Sequence, residues 1–355
     1  MTLELLGRAS ATRALAAGAV SVAIGLAVLA AGLAAAGYDP ALALGALWRG
    51  AFGSWYALTS ATLVRSVPLI LVGLAISLAF RAGALNIGAE GQFYAGAIAA
   101  TWVGLHSAAL PAFVSIPLTW AAALIAGMFW AAVPAWLRVR RGVLEVISTL
   151  LLNFVAEALV SLLVQGPMQE RLGIYPQSDP IAASAQLPVL PGTRLHLGLV
   201  AALLLAVGLW WLFNRTAWGF QLLAAGLGPR AAAVSGRMNV GRIIAGALVG
   251  SGAIAGLAGA AEVGGVSYAL YQNLSPGYGF TGIAVALLAR LRPLAVIATG
   301  TLFGALEAGA GAIQPEARIP AVAVYVVEAV IIIVVLLGDR VVRERPATSE
   351  PAAAA

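Results

Sequence analysis

The stretch SVPLILVGLAISLAFRAGALNIGAEGQFYAGAIAATWVGL (residues 66–105) decides the fold class. It joins two apolar runs, near 58–80 and 85–105, through a short connection marked by Arg81. A helix needs about 20 apolar residues to cross a bilayer. A backbone in lipid must bond its polar groups internally, which favours helices. The stretch therefore predicts two consecutive transmembrane helices.

The composition of the whole chain agrees with this prediction. Of its 355 residues 61% are hydrophobic and 10% are charged, and the mean hydropathy is +0.96. A soluble domain carries about 25% charged residues, so most of this surface must face lipid. A β-barrel would show alternating segments of about ten residues, whereas this chain has long continuous runs. We predict an all-α, polytopic integral membrane helical bundle.

Apolar runs recur along the chain and set the number of spans. The others lie near 14–37, 110–137, 143–165, 195–213, 242–261, 293–313 and 319–338, with a short one near 279–289. The first run exceeds the roughly 7–15 residues of a signal-peptide core, so we interpret it as an uncleaved span. We predict about ten transmembrane segments, of which the eighth is short or re-entrant.

The arginines orient these spans. With a cytoplasmic N-terminus and ten crossings, fifteen arginines fall inside, four fall outside and Arg65 lies within a span. This is the bias expected of cytoplasmic loops. Without the short run, Arg290, Arg292 and the arginines of the last segment would all move outside. We therefore predict that both termini are cytoplasmic, with one transmembrane domain over 1–345 and a disordered tail over 346–355.

Several classes of function are disfavoured by composition. The chain has no Cys and two His far apart, so we expect neither disulfides nor a metal site. Every basic side chain is Arg, and a Walker A motif needs a Lys to reach the nucleotide phosphates. The net charge of +6 resides at helix ends, where it orients helices rather than binding nucleic acid.

Polar residues interrupt the apolar pattern after Arg81. Wound as a helix, the segment that starts at residue 84 places Asn86, Glu90, Phe93 and Ala97 on one face. The small residues Gly88, Gly91, Ala95 and Ala99 lie opposite. A small-residue face lets membrane helices pack closely. A charge at the bilayer centre costs about 2.5–3.5 kcal/mol. Glu90 should therefore face protein or a watery cavity.

The fifth span carries a second polar stripe, with Thr149, Asn153, Glu157 and Ser161 spaced four residues apart. Two helices with Asn–Glu pairs at i and i+4 would line one translocation path. We predict a substrate pathway formed by Asn86, Glu90, Gln92, Phe93, Asn153 and Glu157. The alternative is that these groups bond one another as packing contacts between helices.

The inner loop over 214–242 predicts a docking element. Helix-forming residues at 221–225 are followed by GLGP, and Pro229 stands at the favoured first position of a new short helix. Gly236 provides an end signal for that helix. The alternative is a helix lying on the membrane surface, for which the alanines at 231–233 make a poor anchor.

A faint internal repeat pairs residues 71–100 with 280–309. Eight positions are identical, including Arg81 with Arg290, which follow corresponding spans. Both copies would run from outside to inside and back, as in a parallel repeat. Internal repeats are common in transporters.

Five motifs occur in a fixed order. They are FRAGALNIGAEGQFYAGA (80–97), EVISTLLLNFVA (145–156), LPVLPGTRLHLG (187–198), AGLGPRAAAVSG (225–236) and SPGYGFTGIAVALLARLRPL (275–294). Over about 45–340 the chain resembles bacterial ABC-importer permeases of the nucleoside and simple-sugar class, within a broader family that includes ribose and branched-chain amino-acid permeases. The family's inner turn usually reads Gly-Leu-Asn-Pro-Glu-Ala-Ala, and here Gly228 replaces the Asn and Arg230 replaces the Glu.

The resemblance implies a permease subunit, not an enzyme, of a multi-pass transporter in the bacterial inner (plasma) membrane. A separate cytoplasmic ABC ATPase would use the ATP, and this chain would bind no cofactor. The ATPase would dock on Gly226, Gly228, Pro229, Arg230, Ala231 and Gly236. A second related permease subunit, an extracytoplasmic substrate-binding lipoprotein and membrane lipid would be its other partners, and nucleic acid would not be one.

Other classes of function stay open at this point. An ion-coupled secondary transporter would use Glu90 and Glu157 as proton carriers. A membrane enzyme should show His, Asp or Lys clustered near one face, and the sequence has no such cluster. A receptor or scaffold would move no solute. Among solutes, a nucleoside, a pentose and a hexose would all bind amide and carboxylate groups, and Phe93, Tyr94 and Phe154 offer stacking faces for a base.

Overall fold

The computed structural model describes residues 23–234 and 238–317, together with positions 319, 329 and 333. Gly236, the predicted tail at 346–355 and nearly all of the predicted last span near 319–338 lie outside the described residues. Extended pairing among the described residues is limited to two isolated bridges, Gln177 with Tyr271 and Val189 with His196. The described chain is otherwise helices and loops, which confirms the all-α prediction.

Twelve α-helices are labelled within the described ranges. They are α1 (Ala23–Ala35), α2 (Pro40–Phe52), α3 (Leu63–Arg81), α4 (Ala89–Leu105), α5 (Ala112–Arg141), α6 (Glu145–Val164), α7 (Gly198–Arg215), α8 (Ala217–Leu227), α9 (Pro229–Val234), α10 (Val240–Glu262), α11 (Tyr278–Leu288) and α12 (Pro293–Ala317). Two π-helical turns, Ala57–Thr62 before α3 and Val263–Ser267 after α10, extend their helices.

Six described helices are long and apolar enough to cross a bilayer. Their bounds, with the π-helical turns included, are Ala57–Arg81, Ala112–Arg141, Glu145–Val164, Gly198–Arg215, Val240–Ser267 and Pro293–Glu316. The protein is therefore a multi-pass helical membrane protein. The predicted short run is found as the 11-residue helix Tyr278–Leu288. The total of ten spans and the side of each terminus remain predictions.

The predicted helix over 85–105 begins later than the sequence suggested. Residues 84–88 are not helical, so the helical face that would join Asn86 to Glu90 does not form. Gly83, at φ +77°, ends α3 in the left-handed conformation, and the backbone N–H of Ala84 donates to Ala79 O at 3.0 Å. Asn86 Oδ1 then accepts from Gly88 N at 3.0 Å. Such local side-chain bonds compete with helix formation.

The described residues fall into two compact units, 51–308 and a smaller one drawn from 1–50 and 309–355. In the smaller unit, Arg49 donates to Glu316 Oε2 through Nε at 3.0 Å and through Nη2 at 2.5 Å. Gly309 also packs there against Leu47, because a Cβ on it would lie 2.5 Å from Leu47 O.

Close backbone contacts between glycines hold the larger unit together. A Cβ on Gly96 of α4 would lie 2.2 Å from Gly256 O of α10, and one on Gly127 of α5 would lie 2.1 Å from Gly252 O. Small residues let membrane helices approach this closely. Gly96 was not on the small-residue face predicted for α4. On that face, a Cβ on Gly91 would lie 3.0 Å from Leu152 O, so Gly91 packs against α6.

Each copy of the internal repeat contains a helix, a short connection and a second helix. Arg81 ends α3 before α4, and Arg290 follows α11 before α12. The aligned glycines also lie at one helix contact, since a Cβ on Gly73 would be 2.7 Å from Val285 Cγ1 and one on Gly282 would be 2.5 Å from Val72 Cγ1. The helix–turn–helix order and this mutual contact agree with the predicted repeat.

Candidate functional site

Asn86 and Gln92 form a buried amide pair at the start of α4. Asn86 Nδ2 donates to Gln92 Oε1 at 2.8 Å, and Gln92 Nε2 donates back to Asn86 Oδ1 at 3.1 Å. Asn86 Nδ2 also donates to Ser251 Oγ of α10 at 2.8 Å. Both side chains are buried. The pair therefore fixes the non-helical turn after α3 to α4 and α10.

Asn153 makes the corresponding connection to α6. Its Oδ1 accepts from Gly91 N at 2.8 Å, and its Nδ2 donates to Ile87 O at 2.9 Å. A buried backbone group without a partner costs free energy, and α4 begins at Ala89, so Gly91 N has no partner from the preceding helical turn. Asn153 supplies that partner and holds α6 against the start of α4.

Glu90 lies in the first turn of α4 and contacts the start of α11. Its carboxylate accepts from Gly279 N at 2.5 Å and is bonded by the Ser275 hydroxyl. A helix N-terminus favours negative charge. Gly279 is required for this approach because a Cβ on it would lie 2.2 Å from Glu90 N. The motifs NIGAEGQ and SPGYGF are thus in direct contact.

Phe93 is fully buried beside this contact. Its ring lies 5.7 Å from that of Tyr94 in an edge-on arrangement and 5.9 Å from that of Tyr278. Such aromatic pairs add about 0.5–1.5 kcal/mol beyond their buried area. In this structure Phe93 packs α4 against α11 and faces neither of the two cavities that follow.

Glu157 is exposed on α6 and lines a cavity of about 420 Å³. The remaining walls come from α4, α6 and the loop before α11, and they include Tyr94, Phe154, Ser161, Gln272 and Asn273. Gln272 Nε2 donates to Ser161 Oγ at 2.6 Å. Glu90 lies behind this wall, close enough to interact with Glu157 electrostatically. Of the six residues predicted for the pathway, Glu157 borders this cavity, whereas the other five are buried.

A second cavity, of about 440 Å³, is lined by charged residues that the sequence analysis did not assign to a site. They are Arg65 of α3, Arg194 of the loop over 166–197 and Glu262 at the end of α10. The available signal was Arg65 within one apolar run and Glu262 directly after another, because ionisable residues inside a membrane are functional by default. Asn273 lines both cavities.

The predicted break at GLGP and the helix that starts at Pro229 are confirmed in the loop after α7. Thr216 Oγ1 accepts from Gly219 N at 3.0 Å and caps α8, the helix breaks at Gly228, and Pro229 begins α9. Arg230 and Ala231 are exposed on α9. Gly226 is pressed against the end of α3, since a Cβ on it would lie 2.3 Å from Arg81 O. The loop is therefore attached to the turn that leads to Asn86.

The loop over 166–197 lies against the segment after α10. Ser178 N donates to Leu270 O at 2.8 Å, and Ile181 N donates to Tyr268 O at 2.8 Å. At the exposed tip of the loop, the Gln177 side chain donates to Glu170 at 2.8 Å. This bond, together with one from Tyr175 N, lowers the pKa of Glu170. The two backbone bonds order the loop, and a bond from Arg194 N to Ser60 Oγ at 3.0 Å holds Arg194 beside the second cavity.

Glu145 ties the turn after α3 to α5 and α6. Its carboxylate accepts from the Arg138 guanidinium and from Leu85 N at 3.2 Å.

Because bonds to charged groups are worth about 1.5–3 kcal/mol, Glu145→Gln should lower the thermal unfolding temperature in detergent. Asp179→Asn is the control, since Asp179 pairs with a 93% exposed Arg171 and surface pairs contribute about 0–1 kcal/mol. Equal losses in both variants would contradict this role.

Long apolar helices with polar contacts buried between them define a multi-pass helical membrane protein. The model of the family described as branched-chain amino acid transport system, permease component, matches residues 58–336. The chain belongs to this family, and it is the permease subunit of an ABC importer.

Named relatives match nearly the whole chain. It is 38% identical to the glucose ABC transporter permease protein TsgB13 of Haloferax volcanii over 331 aligned residues. That alignment covers 90% of this chain and 86% of the relative. It is 37% identical over 320 residues to the guanosine ABC transporter permease protein NupP of Bacillus subtilis, with coverage of 89% and 91%. For the nucleoside ABC transporter permease protein NupB of Lactococcus lactis subsp. cremoris, identity is 32% and both coverages are 83%. Ion-coupled secondary transport is not favoured by these relatives.

Proposed function

We propose that this permease moves a nucleoside or a simple sugar across the bacterial inner (plasma) membrane, driven by ATP that separate subunits hydrolyse. The names of the three relatives support this substrate class, since they specify glucose, guanosine and nucleosides. The absence of Lys from the sequence supports the division of labour, because a Walker A motif requires one. The chain would bind no cofactor of its own.

A second permease subunit completes the proposed transporter. Three organisms each contribute two relatives, namely TsgB13 with TsgC13, NupP with NupQ, and NupB with NupC. The first of each pair is 32–38% identical to this chain and the second is 24–28% identical. Two diverged permeases in one organism support a heterodimer. An extracytoplasmic substrate-binding lipoprotein would deliver the solute to the outer loops.

The contact between Gly226 and Arg81 O carries the proposed coupling. An ABC ATPase docked on Gly228, Pro229, Arg230 and Ala231 would push α9 and α8. Because α8 is packed on backbone atoms at the end of α3, it would transmit that displacement to the turn at 82–88. Interiors are close-packed and transmit strain. Gly236 is included in this docking surface on the resemblance alone.

The turn at 82–88 connects the docking loop to the proposed solute pathway. Asn86 and Gln92 link that turn to α4 and α10, and Asn153 links it to α6. Glu157 borders the 420 Å³ cavity, with Glu90 behind its wall. In this proposal Glu157 meets the solute, Glu90 sets the local charge, and Asn86, Gln92, Phe93 and Asn153 transmit the displacement of the loop.

Glu90→Gln removes the negative charge of this side chain while keeping its size and its hydrogen-bond acceptor. The amide oxygen can still accept from Gly279 N, but the negative charge at the start of α11 is lost. We expect ATP-driven uptake to fall about tenfold, since about 1.4 kcal/mol corresponds to a factor of ten and bonds to charged groups are worth about 1.5–3 kcal/mol. Glu316→Gln, in an exposed ion pair, is the control. Unchanged uptake by Glu90→Gln would remove Glu90 from the mechanism.

Reconstituted transport tests the function as a whole. The permease, its ATPase, the second permease and the binding lipoprotein would be placed in vesicles and supplied with labelled guanosine or D-glucose. Uptake should require ATP and persist with an uncoupler. Uptake without the ATPase, or uptake abolished by the uncoupler at constant ATP, would contradict the proposal and favour the ion-coupled alternative.

A further inference from the structure

The 440 Å³ cavity is lined partly by Arg194 of the loop over 166–197 and by none of the six residues predicted for the pathway. Its volume is within the range of roughly 300–1,000 Å³ for small-molecule sites. Arg65, Arg194 and Glu262 contribute charge, Tyr271 and Tyr278 contribute aromatic faces, and Asn273 joins this cavity to the one that Glu157 borders. A pocket with an apolar face and a few convergent polar groups is the usual form of a binding site.

Glu262 is the unusual member of this cavity. The residue is 5% exposed, yet no hydrogen bond or ion pair to its carboxylate is found among residues 23–234 and 238–317. The bond from Ser267 Oγ, at 3.4 Å, goes to the backbone O of Glu262 and not to its carboxylate. The three ion pairs within the described ranges involve other residues. Since a buried carboxylate is costly without partners, Glu262 is a candidate for binding a ligand.

The two arginines face the same space and leave donors available. Arg65 Nη1 donates to Glu307 O at 3.2 Å, and Arg194 is held through its backbone N–H, which donates to Ser60 Oγ at 3.0 Å. Both guanidinium groups interact electrostatically with Glu262 without contacting it as an ion pair. The cavity thus places acceptor-only and donor-only groups around one open volume.

The backbone around this cavity is also irregular. Ser60 belongs to the π-helical turn Ala57–Thr62, and Glu262 directly precedes the π-helical turn Val263–Ser267. Such turns are rare and often occur at functional sites. Asn273 has a φ of +58°, the left-handed conformation that asparagine adopts more readily than most residues other than glycine. Irregular backbone from two spans and one loop therefore meets at the same cavity.

We propose that this cavity is a binding site for the vicinal diol of the transported sugar or nucleoside, a station on the outer side of the pathway. This inference rests on the proposed function. A carboxylate only accepts hydrogen bonds and a guanidinium only donates them, whereas a hydroxyl does both. Adjacent hydroxyls can donate to Glu262 while they accept from Arg65 and Arg194. Tyr271 and Tyr278 provide faces for the less polar side of the solute.

The test uses the purified complete importer and two probes, guanosine and D-glucose. Whichever probe the wild type binds should bind at least about tenfold more weakly to Glu262→Gln, because a bond to a charged group is lost. Binding of 2′,3′-dideoxyguanosine, which lacks the diol, should already be weak and should not change. Glu316→Gln, which loses the same charge from an exposed ion pair, should bind like the wild type.

Arg194→Gln provides a second variant in case Glu262→Gln folds poorly. It leaves the backbone bond to Ser60 intact and should also weaken binding of the diol probe more than that of the dideoxy probe. Retention of wild-type affinity and diol preference by both variants would overturn the inference while leaving the proposed function intact. Failure of the wild type to bind or transport either probe would overturn the proposed function itself.

Discussion

Gly226→Ala should abolish most ATP-driven uptake while leaving the ATPase subunit active. The added Cβ would lie 2.3 Å from Arg81 O, 3.1 Å from Arg81 C and 3.2 Å from Ala82 C. All three are backbone atoms, so no side chain can rotate away. Overpacking of this kind costs about 1–3 kcal/mol, and α8 can relieve it only by moving from the end of α3. The docking loop would then lose its contact with the turn at 82–88.

The measurement compares uptake and ATP hydrolysis in vesicles that contain the complete importer. We expect Gly226→Ala to lower uptake at least about tenfold, the change that corresponds to about 1.4 kcal/mol, with hydrolysis less affected. Gly246→Ala is the matched control, because a Cβ there would lie 4.0 Å from its nearest neighbour, Trp218 Cζ2 of α8. Wild-type uptake by Gly226→Ala would show that this contact does not carry coupling.

Gly96→Ala should produce the largest loss of stability. A Cβ there would lie 2.2 Å from Gly256 O, 2.4 Å from Gly256 Cα and 2.6 Å from Gly256 C. The α4 and α10 backbones would have to separate, and the close packing that associates membrane helices would be lost along this contact. We expect destabilisation of at least about 2 kcal/mol, within the range for overpacked sites.

Thermal unfolding in detergent measures this effect. Gly259→Ala should behave similarly, since a Cβ there would lie 2.2 Å from Phe93 O. Gly208→Ala on α7 is the control, because a Cβ at Gly208 has no neighbour within 4 Å and alanine is favoured over glycine in a helix by about 1 kcal/mol. If Gly96→Ala unfolds at the same temperature as Gly208→Ala, the tight α4–α10 contact is not present in the protein.

Apolar runs in the sequence predicted the long helices well, and glycine and proline predicted the break and the new helix in the loop after α7. Apolar runs near 110–137 and 143–165 correspond to Ala112–Arg141 and Glu145–Val164. The GLGP break and the helix starting at Pro229 were confirmed because glycine and proline act locally on the backbone. The 13-residue helix α2, Pro40–Phe52, was missed because its apolar segment is too short to predict a span.

The candidate site was predicted less completely. Asn86 and Glu90 were placed on one helical face, but Asn86 lies before α4 and pairs with Gln92. Helix periodicity cannot predict this turn, because the turn depends on a bond from Gly88 N to Asn86 Oδ1. It also depends on a bond from Asn86 to Ser251, which is 165 residues further along the chain. Glu262 was left unassigned for a similar reason, since its significance depends on Arg65 and Arg194 reaching the same cavity.

The sequence by itself determined that this chain is a multi-pass helical membrane protein with a helix-bearing inner loop, because hydrophobicity, helix periodicity and turn residues act over short stretches of chain. Only the tertiary structure decided which polar groups are buried in contacts and which border open space. Glu90 bonds to the start of α11 while Glu157 and Glu262 line cavities. The physical reason is that the environment of a carboxylate is set by residues far away in sequence, which only helix packing brings within hydrogen-bond distance.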